Sequence, residues 1–273
     1  HCRVVLEPPR AAICRGACCH GSGVGDFGGR GLERGASRLA PSADAGPVHN
    51  GFSVRDPVAR MDDPHAGQPV ETAGPPLDDA DAAVLLTHGR GATALGMLDL
   101  AHELDVDGVA YRALQANQRT WYPESFLAPI QANEPWLSSA LDFLDRAVEE
   151  CVDAGLAPAQ LVLAGFSQGA CLASEYVARN PRRYGGLAAL SGGLIGPEGT
   201  DFAHEGDLAG TPVFLGCSDV DPHIPVDRVH ETRAVLDGLG AAVTERIYEG
   251  MGHTVNAAEL ERVGAMVTDV IHS

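Results

Sequence analysis

The sequence predicts an α/β fold, with a mostly parallel central sheet carrying helices on both faces. Three observations point there. From residue 82 onward, short continuous apolar runs recur along the chain, segments of helical period separate them, and Gly, Pro or Asn punctuates the joins.

The first expected strand is Ala82–Thr87, AAVLLT, apolar throughout and therefore suited to burial on both faces of a sheet. Helical spacing over Leu95–Leu104 leads to a second strand at Val109–Leu114. A longer connection, with Trp121 inside it and the second tryptophan of the chain, Trp136, at its end, leads into a helix over Trp136–Ala154. Leu161–Ala164 reads as a short buried strand, and the helix after it, Gln168 to Arg179, stops at Asn180-Pro181 because proline disfavours helix in the residue before it. Strands at Leu187–Leu190, Pro212–Leu215 and Val243–Tyr248 follow, with helices over Arg228–Leu239 and Ala257–Ile271. No stretch is long enough for a separate lid domain.

Composition narrows the function. The net charge is −18, and all 19 basic residues are Arg. Such a surface argues against nucleic acids and anionic membranes, which are polyanions. No apolar run approaches the ~20 residues of a membrane span, and a signal-type apolar segment is missing, so a cytoplasmic protein is the expectation. The charge is unevenly spread. Residues 1–60 hold 8 Arg against 5 acidic residues, whereas residues 61–273 hold 11 Arg against 32. Residues 1–60 lack periodicity and are expected to be a disordered or non-native extension, followed by an acidic, Pro-rich leader over 61–81 and the folded domain over 82–273. Four of the seven cysteines crowd the first twenty residues; Cys14-x3-Cys18-Cys19-His20 lacks the paired spacing of a zinc module, so no metal and no cofactor are expected.

The stretch Leu161-Val-Leu-Ala-Gly-Phe-Ser-Gln-Gly-Ala-Cys171 contains a G-x-S-x-G pattern. In a chain with 33 glycines the pattern alone is weak, and a serine at a helix start is also an ordinary N-cap. Context strengthens it. Ser167 falls between a buried strand and a helix, where a sharp turn exposes a side chain at the carboxyl edge of the sheet. Small residues at 165 and 169 relieve crowding there. A nucleophilic serine needs a base, and the base an orienting acid. After the strand Pro212–Leu215 comes a loop with Asp219 and Asp221; after Val243–Tyr248 comes Gly250-Met-Gly-His253. His253 is the best base among eleven histidines, and both aspartates remain candidates for the acid. In Leu85-Leu-Thr-His-Gly-Arg-Gly-Ala92, glycines free the backbone N–H of Arg90 to act with that of Gln168 as a two-donor oxyanion hole.

The chain from about Ala82 to Ile271 resembles the phospholipase/carboxylesterase family of α/β-hydrolases. His88-Gly-Arg-Gly91, Gly165-Phe-Ser-Gln-Gly169, Asp221-Pro-His-Ile-Pro225 and Gly250-Met-Gly-His253 match its successive motifs in order. The resemblance implies Ser167 as nucleophile, Asp221 as acid, His253 as base, Arg90 and Gln168 as oxyanion donors, and a homodimer. Leu114 stands where members often carry Pro.

The activity expected is hydrolysis of short- to medium-chain carboxylic esters through an acyl-enzyme. Acyl-protein thioesterase or lysophospholipase-like activity is the alternative. A dienelactone hydrolase-like enzyme would place Cys at the elbow, and a non-catalytic binding module would lack a triad member. Trp121 and Tyr122 are expected to line one wall of the substrate pocket, with Leu194 and Ile195 opposite. The acidic surface suggests a salt-rich, halophilic setting.

Overall fold

The computed structural model describes residues 63–273, apart from Asp105 and the side chain of Leu100. The expected extension over residues 1–60 and its cysteine cluster lie outside the described residues. Among the described residues seven strands form one sheet: β1 Val70–Ala73, β2 Ala82–Thr87, β3 Val109–Leu114, β4 Leu161–Phe166, β5 Gly186–Leu190, β6 Pro212–Ser218 and β7 Ala242–Tyr248. Their spatial order is β1-β3-β2-β4-β5-β6-β7. Only β1 runs antiparallel to its neighbour, Val70 pairing with Leu114 and Ala73 with Tyr111. This is an α/β-hydrolase sheet.

Among the described residues five α-helices cover it: α1 Ala94–His102, α2 Trp136–Asp153, α3 Gln168–Arg179, α4 Val226–Gly238 and α5 Ala257–Ile271. Alternation along β2 sorts them into two layers. Ala83 and Leu85 face a core shared with α2, α3 and α4, including Leu144, Leu172 and Val229. Val84 and Leu86 face the other core, where α1 supplies Met97 and Leu98 and α5 supplies Val263 and Val267. Both faces of the central strands are therefore apolar, which is why they read as continuous hydrophobic runs.

The strand order places the site. From β2 the chain moves outward to β3, then returns to the opposite side of β2 as β4. A crevice opens outside the carboxyl ends of strands at such a reversal. The loops after β2 and β4 flank it.

The sheet also takes in part of the leader that the sequence reading set outside the domain. Beyond β1, His65 is fully buried, and its backbone N–H donates to Ser139 Oγ at 2.9 Å. The Asn117 N–H donates to His65 Nδ1 at 3.2 Å, so the proton sits on Nε2, which donates to the Trp121 carbonyl at 2.9 Å. Burial lowers the pKa of this ring and keeps it neutral. The leader has no hydrophobic period because its attachment is an edge strand of four residues and one histidine.

Candidate active site

Ser167 sits between β4 and α3 with φ 56° and ψ −120°, a conformation costly for a residue with a side chain. Its neighbours show why glycine flanks it. A Cβ on Gly169 would lie 2.1 Å from the Thr87 carbonyl oxygen, and one on Gly165 would lie 2.5 Å from Thr87 Oγ1. Thr87 Oγ1 in turn donates to the Gly169 carbonyl at 2.9 Å, tying the turn to β2. The Ser167 N–H donates to Leu190 O at 2.9 Å, tying it to β5.

The hydroxyl does not cap the helix. Ser167 Oγ lies 2.8 Å from His253 Nε2, and His253 Nδ1 lies 2.7 Å from Asp221 Oδ2. The side chains of Asp221 and His253 are 0% and 6% exposed, so the contacts operate away from bulk water. Asp221 Oδ1 accepts the N–H groups of His223 at 2.8 Å and Ile224 at 3.1 Å. Burial alone would raise this carboxyl; the His253 contact and the two N–H donors outweigh it and hold the carboxyl below its usual range. Phe166 and His223 pack against the His253 ring with centroids 4.9 and 4.8 Å away.

The two candidate acids are thereby separated. Asp219 points its Oδ1 at the Gly250 N–H, 2.7 Å away, and Ser218 Oγ accepts the Gly252 N–H at 3.0 Å. Both glycines adopt positive φ, 64° and 76°, so this loop is pinned at the turn that carries His253.

On the other side of Ser167 lies the loop after β2. A Cβ on Gly89 would sit 3.3 Å from Ser167 Cβ, a close approach that glycine permits. The N–H groups of Arg90 and Gln168 have no acceptor among the described residues. Their side chains brace the crevice. Arg90 donates to the carbonyls of Pro123 and Glu124 at 2.7 and 2.6 Å. Gln168 Oε1 accepts the Trp121 N–H at 3.0 Å, and its Nε2 donates to the Tyr122 carbonyl at 2.8 Å. His88 has a structural place. Its Nε2 accepts the Ala116 N–H at 3.0 Å, its Nδ1 donates to Gly89 O at 2.8 Å, and burial lowers its pKa.

A cavity of about 1100 Å³ opens over Ser167, lined by Arg90, Arg119, Tyr122, Phe126, Cys171 and Ile224 among others. Cys171 does not compete as nucleophile: burial pushes its thiol up to about 12, leaving it protonated at neutral pH. A second cavity of about 350 Å³ lies at the amino ends of the strands, near Pro212 and Ala242, remote from Ser167.

Of the expected pocket residues, Tyr122 lines the cavity. Trp121, Leu194 and Ile195 do not, and these expectations are corrected. Trp121 is 0% exposed, packed between the tilted rings of His65 and His88, with its Nε1 donating to His88 O at 2.7 Å. Leu194 and Ile195 are buried in the core with α2, α3 and α4, where their N–H groups donate to Thr232 Oγ1 and Glu175 Oε2. Apolar residues after a strand's carboxyl end serve the core as readily as a pocket, and sequence does not separate the two. Phe126 and Ile224 were missed for the same reason, and Arg119 because a loop arginine carries no mark that separates a cavity cation from a surface one.

A profile of the phospholipase/carboxylesterase family matches residues 71–271. The chain belongs to this family. A phospholipase/carboxylesterase from Dyadobacter fermentans is 42% identical, with a TM-score of 0.71 over 74% of this chain and 96% of that one. Acyl-protein thioesterase 1 of Saccharomyces cerevisiae is 30% identical over 137 residues, half of this chain and 60% of that protein. The match thus spans somewhat over half the length of this curated relative. The Bacillus cereus carboxylesterase, 21% identical with a TM-score of 0.61 over 75% of this chain and 95% of that one, shares the fold. Among the described residues no helix is long and apolar enough to cross a membrane.

Proposed function

We propose that this family member is a serine carboxylesterase acting on short- to medium-chain carboxylic esters through an acyl-enzyme. The observation that carries the reading is the hydrogen-bonded line from Ser167 Oγ through His253 to Asp221. His253 Nε2 removes the hydroxyl proton as Oγ attacks the acyl carbonyl. The carbonyl oxygen takes the negative charge and is met by the Arg90 and Gln168 N–H groups, the latter at the positive end of α3. His253 then gives its proton to the leaving alkoxide, and an alcohol departs. Water repeats the sequence on the acyl-enzyme: His253 takes its proton, hydroxide adds to the carbonyl, and the Ser167 oxygen leaves with the proton returned, releasing the acid. Asp221 fixes the imidazole tautomer and balances the imidazolium.

The buried part of the lining, Tyr122, Phe126, Cys171 and Ile224, offers apolar surface for an acyl chain of modest length. The names of relatives such as the yeast acyl-protein thioesterase 1 support a second reading, thioester hydrolysis by the same residues. Hydrolysis rates over ester and thioester series of two to sixteen acyl carbons (a range of about that width covers both readings) test this. An optimum among short and medium esters is expected. A long-chain thioester optimum favours the second reading, and inactivity on both series rejects the first and the second together.

A further inference from the structure

Arg119 stands apart from the other basic residues around the site. Gln118 and Arg119 are consecutive non-glycine residues with φ of 51° and 58°, a strained pair that persists only where the surroundings enforce it. They do enforce it. The Asn117 N–H is held by His65, and Asn117 Nδ2 donates to the Pro64 carbonyl at 2.8 Å. The Arg119 carbonyl accepts the Gly91 N–H at 2.7 Å, which ties this turn to the residue following Arg90. Arg119 lines the cavity over Ser167, and its guanidinium has no hydrogen-bond or ion-pair partner among the described residues.

Arg119 is exposed, and the exposed Arg233, Arg246 and Arg262 likewise make no hydrogen bond or ion pair among the described residues; Arg119 differs from them in lining the cavity over Ser167. Arg112, Arg146, Arg179, Arg182 and Arg228 each meet a carboxylate. Arg90 is engaged by two carbonyls. The one carboxylate in the cavity lining, Glu124, makes no ion pair with Arg119. The turn thus presents an exposed guanidinium, with its donor fork free, at the cavity that opens over Ser167.

We infer that the cavity receives esters bearing a carboxylate a few carbons from the scissile carbonyl, and that Arg119 binds this carboxylate and sets the preference. This rests on the esterase reading above. A guanidinium matches a carboxylate with two parallel N–H donors. A single free guanidinium balances one negative charge, whereas a phosphate dianion would leave excess charge in an already acidic molecule. Arg90 adds positive potential at the same rim, and Glu124 opposes it.

The test uses matched methyl esters that differ only in a terminal carboxylate or methyl: monomethyl succinate, glutarate and adipate against methyl butyrate, pentanoate and hexanoate. Acid release is followed for the full chain, Arg119→Gln and Arg119→Lys. The native protein is expected to favour at least one anionic ester over its neutral partner in kcat/KM. Arg119→Gln lowers that ratio by about tenfold or more, mainly through KM, and Arg119→Lys restores part of it. The preference shrinks in ~1 M KCl. A ratio unaltered by Arg119→Gln overturns the inference and leaves the esterase reading standing. Failure of the native protein to hydrolyse any of the six esters overturns both.

Discussion

Asp219 and Asp221 lie two residues apart yet address different partners: Asp221 Oδ2 is 2.7 Å from His253 Nδ1, whereas Asp219 Oδ1 is 2.7 Å from the Gly250 N–H. The division assigns them different work. Asp221→Asn should lower kcat by about 10⁴, because an amide stabilises the wrong imidazole tautomer and cannot balance the imidazolium. Asp219→Asn keeps an oxygen for Gly250 and should cost less than about tenfold. Steady-state kinetics on one ester decide the matter, and a larger loss at Asp219 would reverse the roles.

The turn at Ser167 predicts opposite outcomes for two small substitutions. Ser167→Gly relieves the φ of 56° and should raise Tm by about 2–4 °C while removing hydrolysis. Gly169→Ala forces a Cβ toward the Thr87 carbonyl, 2.1 Å away, and should cost more than about 3 kcal/mol. Thermal denaturation reads both. A Ser167→Gly protein no more stable than native would mean that the strain is not stored there.

Much of this site was legible in the sequence, and the reasons differ by residue. Ser167, His253 and Arg90 follow strand ends, and their flanking glycines announce tight turns. The residues alone left the paired aspartates open, because both occupy one loop; the family resemblance pointed to Asp221, and the hydrogen bonds show how the two differ. His65 carries no signal at all: it lies in a polar leader and reaches its partners Ser139, Asn117 and Trp121 through the fold. Trp121 and Ile195 show the reverse error, since an apolar residue near a strand end has no mark that distinguishes pocket from core.

Glu259 gives a pH prediction. It is fully buried at the start of α5, where Oε2 accepts the Asn256 N–H at 2.9 Å and Oε1 has no partner. Burial raises its pKa from 4.5 to about 7. Below pH 4.5 the folded and unfolded chains both hold the proton. Between 4.5 and about 7 only the folded chain retains it, so stability from this group falls as pH rises through that window, by on the order of 3 kcal/mol in all. Glu259→Gln keeps the acceptor without the charge. Its Tm should exceed the native value at pH 8 and converge with it near pH 4.5. Parallel Tm curves for the two proteins would contradict this.

Salt is the fourth expectation. Carboxylates in such excess repel one another in dilute buffer. At ~1 M salt the Debye length falls to about 3 Å and nearly all of that repulsion is screened. Tm and activity toward a neutral ester should therefore rise together from low salt to molar KCl. A flat or falling Tm would reject the halophilic reading and leave the chemistry untouched.

The nucleophile is tested most directly by covalent labelling. A fluorophosphonate, which phosphonylates an activated serine and loses fluoride, should modify the native protein once, and peptide mass spectrometry should locate the adduct on the peptide containing Ser167. Ser167→Ala should take up no label while unfolding cooperatively, since losing the hydroxyl costs the fold little. An adduct on another serine of the cavity, such as Ser125, or undiminished labelling of Ser167→Ala, would contradict the assignment.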